Sequence, residues 1–182
     1  MSLAITIKPT GRAALAAALF TACGAGSAWR SVSDWSLSAP LVLFYALLVL
    51  NTFFSVRCFA RVTPPGDRLQ KLFDAVLVAI YVGLAASFTD APRFAGWGSL
   101  LFAVATLKYV VLLGRVGSVM LLAKKIRVDV LGTIACVWAL GVMLIGYARE
   151  ASWALAGANA IANVYVLWVR PIYRIEGLPP VV

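Results

Sequence analysis

Long stretches without ionised side chains are the feature that most constrains the fold of this chain. A helix needs about 20 mostly apolar residues to cross the roughly 30 Å hydrocarbon core of a bilayer, and soluble proteins seldom supply several such stretches in succession. We therefore predict an all-α fold, a polytopic transmembrane helical bundle. Five runs contain no Asp, Glu, Lys or Arg, and a sixth contains only Lys108: 13–29, 35–56, 75–89, 130–148, 151–169 and 94–114.

Composition agrees with a chain that lies mostly in lipid, because 63% of its residues are apolar and only 13% are charged. Six spans in 182 residues leave no room for a separate soluble domain. The first run also follows Lys8 and Arg12 as the apolar region of a signal peptide follows its basic start, but we count it as a span. We predict a single integral membrane domain, 1–182, with spans at about 13–29, 35–56, 69–89, 94–114, 129–148 and 151–169.

The distribution of basic residues predicts the orientation of the bundle. Six spans place both termini on one side, and twelve of the sixteen Lys and Arg residues lie on that side. Arg30, Arg93 and Arg149 lie on the other, and Lys108 lies within a span. The positive-inside rule then makes both termini cytoplasmic, and we expect a bacterial inner (plasma) membrane.

The formal net charge of +9 is therefore a property of the cytoplasmic face. Topology explains this charge, so nucleic acid is not an expected partner. The expected partners are the lipid bilayer, with anionic lipids at the cytoplasmic face, and other membrane subunits or further copies of the chain.

No catalytic signature is present. Histidine is absent, which removes the commonest general base and the commonest metal ligand. Cys23, Cys58 and Cys136 are widely spaced and form no C-x-x-C pair, and there is no phosphate-binding loop or dinucleotide fingerprint. We predict a non-enzymatic protein with no catalytic residues, no metal and no cofactor.

Small residues repeat at four-residue spacing in the first and last predicted spans. This spacing places them on one helix face, where a second backbone can approach closely. We predict that both spans pack against other helices through these faces, and the alternative is that the faces contact lipid. The first stripe is Ala14, Ala18, Ala22 and Gly26, and the second is Ala154, Ala158 and Ala162.

A polar residue recurs at one depth in the three spans that are predicted to run inward. Asn51 precedes Arg57 by six residues and Lys108 precedes Arg115 by seven, which places each polar group roughly 10 Å from its basic anchor at 1.5 Å per residue. Asp74 and Asp129 begin two of the spans that are predicted to run outward. Asn159 lies four residues before Asn163, so the two asparagines share a helix face. The predicted polar layer is Asn51, Asp74, Lys108, Asp129, Asn159 and Asn163.

Two interpretations of this layer remain open. In the functional one, it lines a cavity for an ion or a small polar solute, because ionisable groups inside a membrane usually face protein or water. In the structural one, Lys108 extends to the headgroups, Asp74 and Asp129 cap helix starts, and the asparagines bond between helices.

The leading functional hypothesis is a small integral protein that acts by assembly, as a homo-oligomer or as a subunit of a larger membrane complex. Loops this short leave helix faces as the main recognition surface. The alternative is a channel or transporter for an ion or small polar solute that uses the polar layer. A cavity that reaches Lys108, Asn51 and Asn163 favours the alternative, whereas a dry bundle favours assembly.

Overall fold

The computed structural model describes residues 8–61, 63, 67–115 and 119–173. Within these residues every regular element is helical, which confirms the all-α prediction. A short 3-10 turn, Val32–Asp34, precedes α2, and one turn of π-helix, Tyr165–Val169, follows α6. The six α-helices are α1 Pro9–Arg30, α2 Trp35–Phe59, α3 Arg68–Ala85, α4 Ala91–Leu113, α5 Val119–Leu144 and α6 Ala148–Val164.

The six helices form a closed ring in which each contacts two main neighbours, in the order α1, α2, α6, α5, α4, α3 and back to α1. Short connections make consecutive helices antiparallel. The starts of α1, α3 and α5 therefore lie beside the ends of α2, α4 and α6. We call this the basic end, because it holds most of the Lys and Arg residues. The opposite end is the neutral end.

Four helical segments are long and apolar enough to cross a membrane. The two remaining helices, α1 and α3, differ from them for identifiable reasons. Alanine and glycine lower the hydropathy of α1, and α3 carries Arg68, Lys71 and Asp74 within its 18 residues. The four segments are Val32–Phe59, Ala91–Leu113, Met120–Leu144 and Ala148–Val169.

The fifth helix begins ten residues earlier than the predicted span at 129–148. The predicted bounds left the segment 116–126 outside the spans, between the fourth and the fifth. Its described part, from Val119 onward, instead forms the first turns of α5. Leu, Met, Ala and Lys favour helix here, and no Gly or Pro interrupts 119–127. This extension places Lys125 and Asp129 one helical turn apart.

Aromatic rings fill the interior toward the neutral end. Phe44 meets Phe94 edge to face at 5.6 Å between ring centroids, and Phe20 stacks on Tyr81 at 4.1 Å. The Tyr45 hydroxyl donates to the carbonyl of Phe20 at 3.0 Å. We define the aromatic half of the bundle by these rings and their neighbours: Phe20, Phe44, Tyr45, Tyr81, Phe88, Phe94 and Phe102.

The small-residue stripe of α1 faces outward, and α1 packs within the chain through a different face. A Cβ atom at Gly24 would lie 2.6 Å from the Tyr45 ring, so only glycine allows this approach of α1 to α2. The face of α1 that carries Phe20 and Gly24 therefore packs more closely on Tyr45 than a row of alanines could. The buried residues of α1 are Ala13, Phe20 and Gly24, whereas the exposed stripe is Ala14, Ala18, Ala22 and Gly26.

The stripe of α6 is likewise exposed. Leucine and serine side chains, rather than the stripe alanines, fill the inner face of α6, because that face meets α2 and α5. Both stripes are thus exposed within one chain, and their packing against other helices stays a prediction. The exposed residues are Ala154, Ala158 and Ala162, and the buried ones in this stretch are Ala151, Ser152, Leu155 and Ala156.

Candidate functional site

A cavity of about 310 Å³ lies in the half of the bundle next to the basic end, between α1, α2, α3, α4 and α5. We call this region the basic half. Phe20 and Phe102 of the aromatic half form part of the cavity wall. Of the lining residues, Arg12, Asp74 and Val78 are exposed, so the cavity opens between α1 and α3.

Lys125 and Asp129 form a buried ion pair in this cavity wall. Their side chains are only 6% and 0% exposed, and the ammonium of Lys125 donates to Oδ1 of Asp129. The i, i+4 spacing within α5 brings the two side chains together. Oδ2 of Asp129 has no hydrogen-bond partner among the residues that the structure describes. A charged pair this deeply buried is costly to keep, which makes it a candidate functional site.

Lys108 of α4 pairs with Asp74 of α3 near the opening. The Lys108 Nζ lies 2.5 Å from Oδ1 of Asp74, and the two side chains are 14% and 61% exposed. Lys108 is therefore bonded across to α3 instead of extending to the headgroups. This pair joins the two helices at the rim of the cavity.

The predicted capping roles of Asp74 and Asp129 are wrong, because both residues lie inside helices. The cap of α3 is Asp67, whose Oδ1 accepts from the backbone N–H groups of Leu69 and Gln70 at 3.0 and 3.3 Å. Asp74 lies in the second turn of α3, and Asp129 lies well inside α5. Asp74 therefore bonds across to α4, whereas Asp129 bonds within α5.

Tyr109 separates the two lysines. The ammonium groups of Lys108 and Lys125 lie 5.8 and 5.3 Å from the centroid of its ring, within cation–π range. The Tyr109 hydroxyl is 2.8 Å from Oγ of Ser55 on α2. The Tyr109 ring is thus a shared partner of the two lysines, in addition to the aspartate that each lysine pairs with.

Asn51 connects the cavity to the segment that follows α6. The Tyr173 hydroxyl donates to Oδ1 of Asn51 at 2.5 Å, and its ring packs edge to face on Phe59 at 6.3 Å. Burial, and then the negative charge of Asp129, raise the pKa of the Tyr173 phenol well above its usual value. The phenol therefore stays protonated and keeps donating. The chain after the π-helical turn thus covers part of the basic end.

Asn159 and Asn163 have a different role from the rest of the predicted polar layer. The Asn159 amide donates to the carbonyl of Phe44 at 3.1 Å, and the Asn163 amide donates to the carbonyl of Asn159 at 2.9 Å. Neither residue lines the cavity. Four of the six predicted residues come together around the cavity, namely Asn51, Asp74, Lys108 and Asp129. Asn159 links α6 to α2, whereas Asn163 bonds to Asn159 within α6.

The prediction missed two charged residues of the cavity wall, Arg12 and Lys125, and among its aromatic residues Tyr109, which lies near both lysines. The i, i+4 spacing of Lys125 and Asp129 was a readable signal, but it requires that both residues lie on one helix. No local pattern marks Arg12 or Tyr109, because only the packing of α1 and α4 brings them to the cavity.

The cavity can hold a small polar molecule by ionic and hydrogen bonds. Ligand sites in proteins have volumes of about 300 to 1,000 Å³, and this cavity lies at the lower limit. Among the described residues, no three His, Cys, Asp or Glu side chains are grouped as metal ligands. Comparison with known proteins finds no matching family model, curated protein or solved structure.

Proposed function

We propose that the protein is a non-enzymatic integral membrane protein that binds a small polar solute in this cavity and carries it across the bilayer. The observation behind this proposal is the cavity itself, which brings Asn51, Asp74, Lys108 and Asp129 of four helices around one space. Buried ionised groups in membrane proteins usually mark solute or ion pathways.

Six membrane-spanning helices are part of this proposal. Leu15 and Leu19 of α1 are exposed, as are Val76, Val78 and Val82 of α3, although both helices have polar ends. Large apolar side chains in such numbers on an outer surface favour contact with lipid. The 22 residues of α1 extend about 33 Å, long enough to cross the hydrocarbon core.

The orientation follows from the positive-inside rule, which favours a cytoplasmic basic end with both termini on that side. The cavity then opens toward the inner leaflet and the cytoplasm. The aromatic half closes it from the other side, so this conformation corresponds to an inward-open state. Transport requires a second conformation, in which the aromatic half opens.

Solute flux into proteoliposomes tests this function. Stopped-flow light scattering would follow vesicles that contain the parent protein as neutral polar solutes, organic anions and organic cations are added. We expect at least one solute to enter faster than into empty vesicles. We also expect Lys108→Met to slow that entry about tenfold or more, because it removes one charge from the cavity.

The matched control is Lys124→Met, which removes the same charge from an exposed position next to Lys125. This variant should keep the parent rate. Flux that is absent for every solute, or that is the same in the parent and in Lys108→Met, would exclude transport through this cavity.

Assembly is a second candidate function, favoured by the outward orientation of the two small-residue stripes. A Cβ atom built at Gly26 of α1 or at Gly157 beside the α6 stripe meets nothing within 4 Å, so both faces can accept a second backbone. Native mass measurement of the detergent-extracted protein tests this candidate. A mass above that of one chain supports assembly, and a monomer in native lipid nanodiscs argues against it.

A further inference from the structure

We infer that the solute is an amphipathic anion, with an acidic head group on a short apolar body. This inference rests on the proposed function and adds the chemical class of the ligand. Three cationic side chains line the cavity, Arg12, Lys108 and Lys125, against the two carboxylates of Asp74 and Asp129. The excess of one positive charge lies in a half-buried space, where Coulomb interactions are stronger than in water.

The hydrogen-bonding capacity of the cavity points the same way. An ammonium has three donors, and among the described residues Lys108 and Lys125 each donate one side-chain hydrogen bond, to Asp74 and Asp129. Donors therefore remain on both lysines, and the Arg12 guanidinium adds more at the opening. A carboxylate or phosphate accepts such bonds without displacing any existing pair.

A cationic ligand fits less well. Both carboxylates are already neutralised, Asp74 by Lys108 at 2.5 Å and Asp129 by Lys125. The remaining Oδ2 of Asp129 is buried and has no hydrogen-bond partner among the described residues. A second cation at this carboxylate would be repelled by the adjacent Lys125 ammonium or would exchange with it. That exchange would leave a lysine without its partner in a nearly dry environment, which is costly.

The walls of the cavity define the rest of the ligand. Between the charged groups, the lining is apolar and includes Leu48, Leu77, Val78 and Leu101, with Phe20 and Phe102 beside them. Such walls favour a hydrocarbon body over a polar one. A volume of about 310 Å³ limits the length of that body.

The opening between α1 and α3 lies near the basic end, where the headgroups of the inner leaflet would be. An acidic head group could therefore come from a soluble carboxylate or from an anionic lipid whose head enters sideways. Both sources have the same recognition chemistry, an anion against Arg12 and Lys108.

A matched panel of hexanoate, hexylammonium and hexanol tests the class of ligand, because the three share one hydrocarbon chain and differ in charge. Binding to the purified full-length protein in an uncharged detergent would be followed by calorimetry and by the thermal midpoint. We expect saturable binding of hexanoate alone. Lys108→Met and Arg12→Gln should each weaken that binding about tenfold or more, whereas Lys124→Met should not.

Arg12→Gln keeps the test decisive if Lys108→Met fails to fold, because the Arg12 side chain is exposed at the opening. Lys108-dependent binding of hexylammonium or hexanol in preference to hexanoate overturns the anionic class but leaves the transport function standing. Flux of a non-anionic solute in a protein that does not bind hexanoate would also overturn the anionic class and leave the transport function standing. Absence of flux for every solute overturns the transport function itself.

The source of the anion is resolved by comparing nanodiscs of phosphatidylcholine with nanodiscs that also contain phosphatidylglycerol. If phosphatidylglycerol lowers hexanoate affinity in the parent but not in Arg12→Gln, the lipid head group occupies the cavity and the inference stands with lipid as the source. Equal hexanoate affinity in both nanodiscs supports a soluble anion.

Discussion

In the aromatic half of the bundle ring packs on ring, whereas in the basic half side chains of opposite charge surround an open space. Phe44, for example, is 2% exposed and contacts two further rings, at 5.6 and 6.5 Å. Lys125 is as deeply buried, but its neighbours are a carboxylate, a tyrosine face and the cavity. The same helices therefore supply a dry, close-packed region at one end and a polar, incompletely filled region at the other.

The two halves differ in their contribution to the stability of the bundle. Interlocked rings contribute dispersion and edge-to-face attraction at no desolvation cost. A buried ion pair loses the hydration of both charges, and apolar side chains of similar volume are often as stable or more so. The buried charges of the basic half therefore cost stability, whereas the packed rings of the aromatic half add to it.

The largest effect is expected from breaking the Lys125–Asp129 pair. Asp129→Leu leaves the Lys125 ammonium buried without its partner, and it should lower the free energy of unfolding by about 3–5 kcal/mol. Unfolding in mixed micelles, followed by tryptophan fluorescence, would measure this loss.

The double variant Lys125→Met with Asp129→Leu is the informative control. Because this variant removes both charges together, its free energy of unfolding should lie within about 1 kcal/mol of that of the parent. Hexanoate should nevertheless bind more weakly than to the parent, because the cavity keeps its excess of one positive charge but loses the hydrogen-bond donors of Lys125. A double variant as unstable as Asp129→Leu alone would mean that the pair itself stabilises the basic half.

A smaller but still large effect is expected in the aromatic half, from Leu84→Ala. Leu84 is fully buried among the rings, so truncation should lower the free energy of unfolding by about 3 kcal/mol. Leu131→Ala makes the same change at a side chain that is 65% exposed on α5, and it should cost less than about 1 kcal/mol. Solute flux should persist in both variants that fold. Equal losses in the two variants would contradict the close packing described for the aromatic half.

The sequence predicted the helices well because charge and hydropathy are local properties. All six predicted spans correspond to helices, although only four are long and apolar enough to qualify as spans by composition. The start of α5 was misplaced, because the basic residues of 119–127 were left outside the predicted spans, whereas they lie on the same helix as the fifth span. Without that extension, the pairing of Lys125 with Asp129 could not be recognised.

The faces of the helices were harder to predict than the helices themselves. The spacing of Ala14, Ala18 and Ala22 shows that they share a face, but it does not show which face is turned inward. That choice depends on Tyr45 of α2, which fits only against Gly24. In the same way, Asn51 and Asn163 have equivalent positions in the sequence, yet one lines the cavity and the other bonds to Asn159. These outcomes depend on contacts between distant parts of the chain.

The smallest expected effect is a pH dependence of stability, which we expect in the basic half and not in the packing of the aromatic half. Asp67, at the start of α3, bonds to Arg115 beyond the end of α4, with 2.5 Å between Oδ2 and Nη1. Desolvation acts to raise the pKa of Asp67, but the bonds from Arg115 and from two backbone N–H groups outweigh it and lower the pKa. Because the folded-state pKa lies below the unfolded one, the stabilisation is complete above the ordinary carboxyl pKa of about 3.9 and is lost as pH falls through the folded value.

The thermal midpoint of the parent in an uncharged detergent should therefore exceed that of Asp67→Asn at neutral pH, and the difference should shrink as the pH falls below about 4. Asp90→Asn is the matched control, since Asp90 caps α4 at the neutral end by accepting from the N–H of Arg93 at 3.0 Å. Aromatic packing involves no titratable contact in this range, so acid should loosen the basic end first. A midpoint difference for Asp67→Asn that stays constant down to pH 2 would show that the ion pair with Arg115 contributes nothing to holding α3 and α4 together.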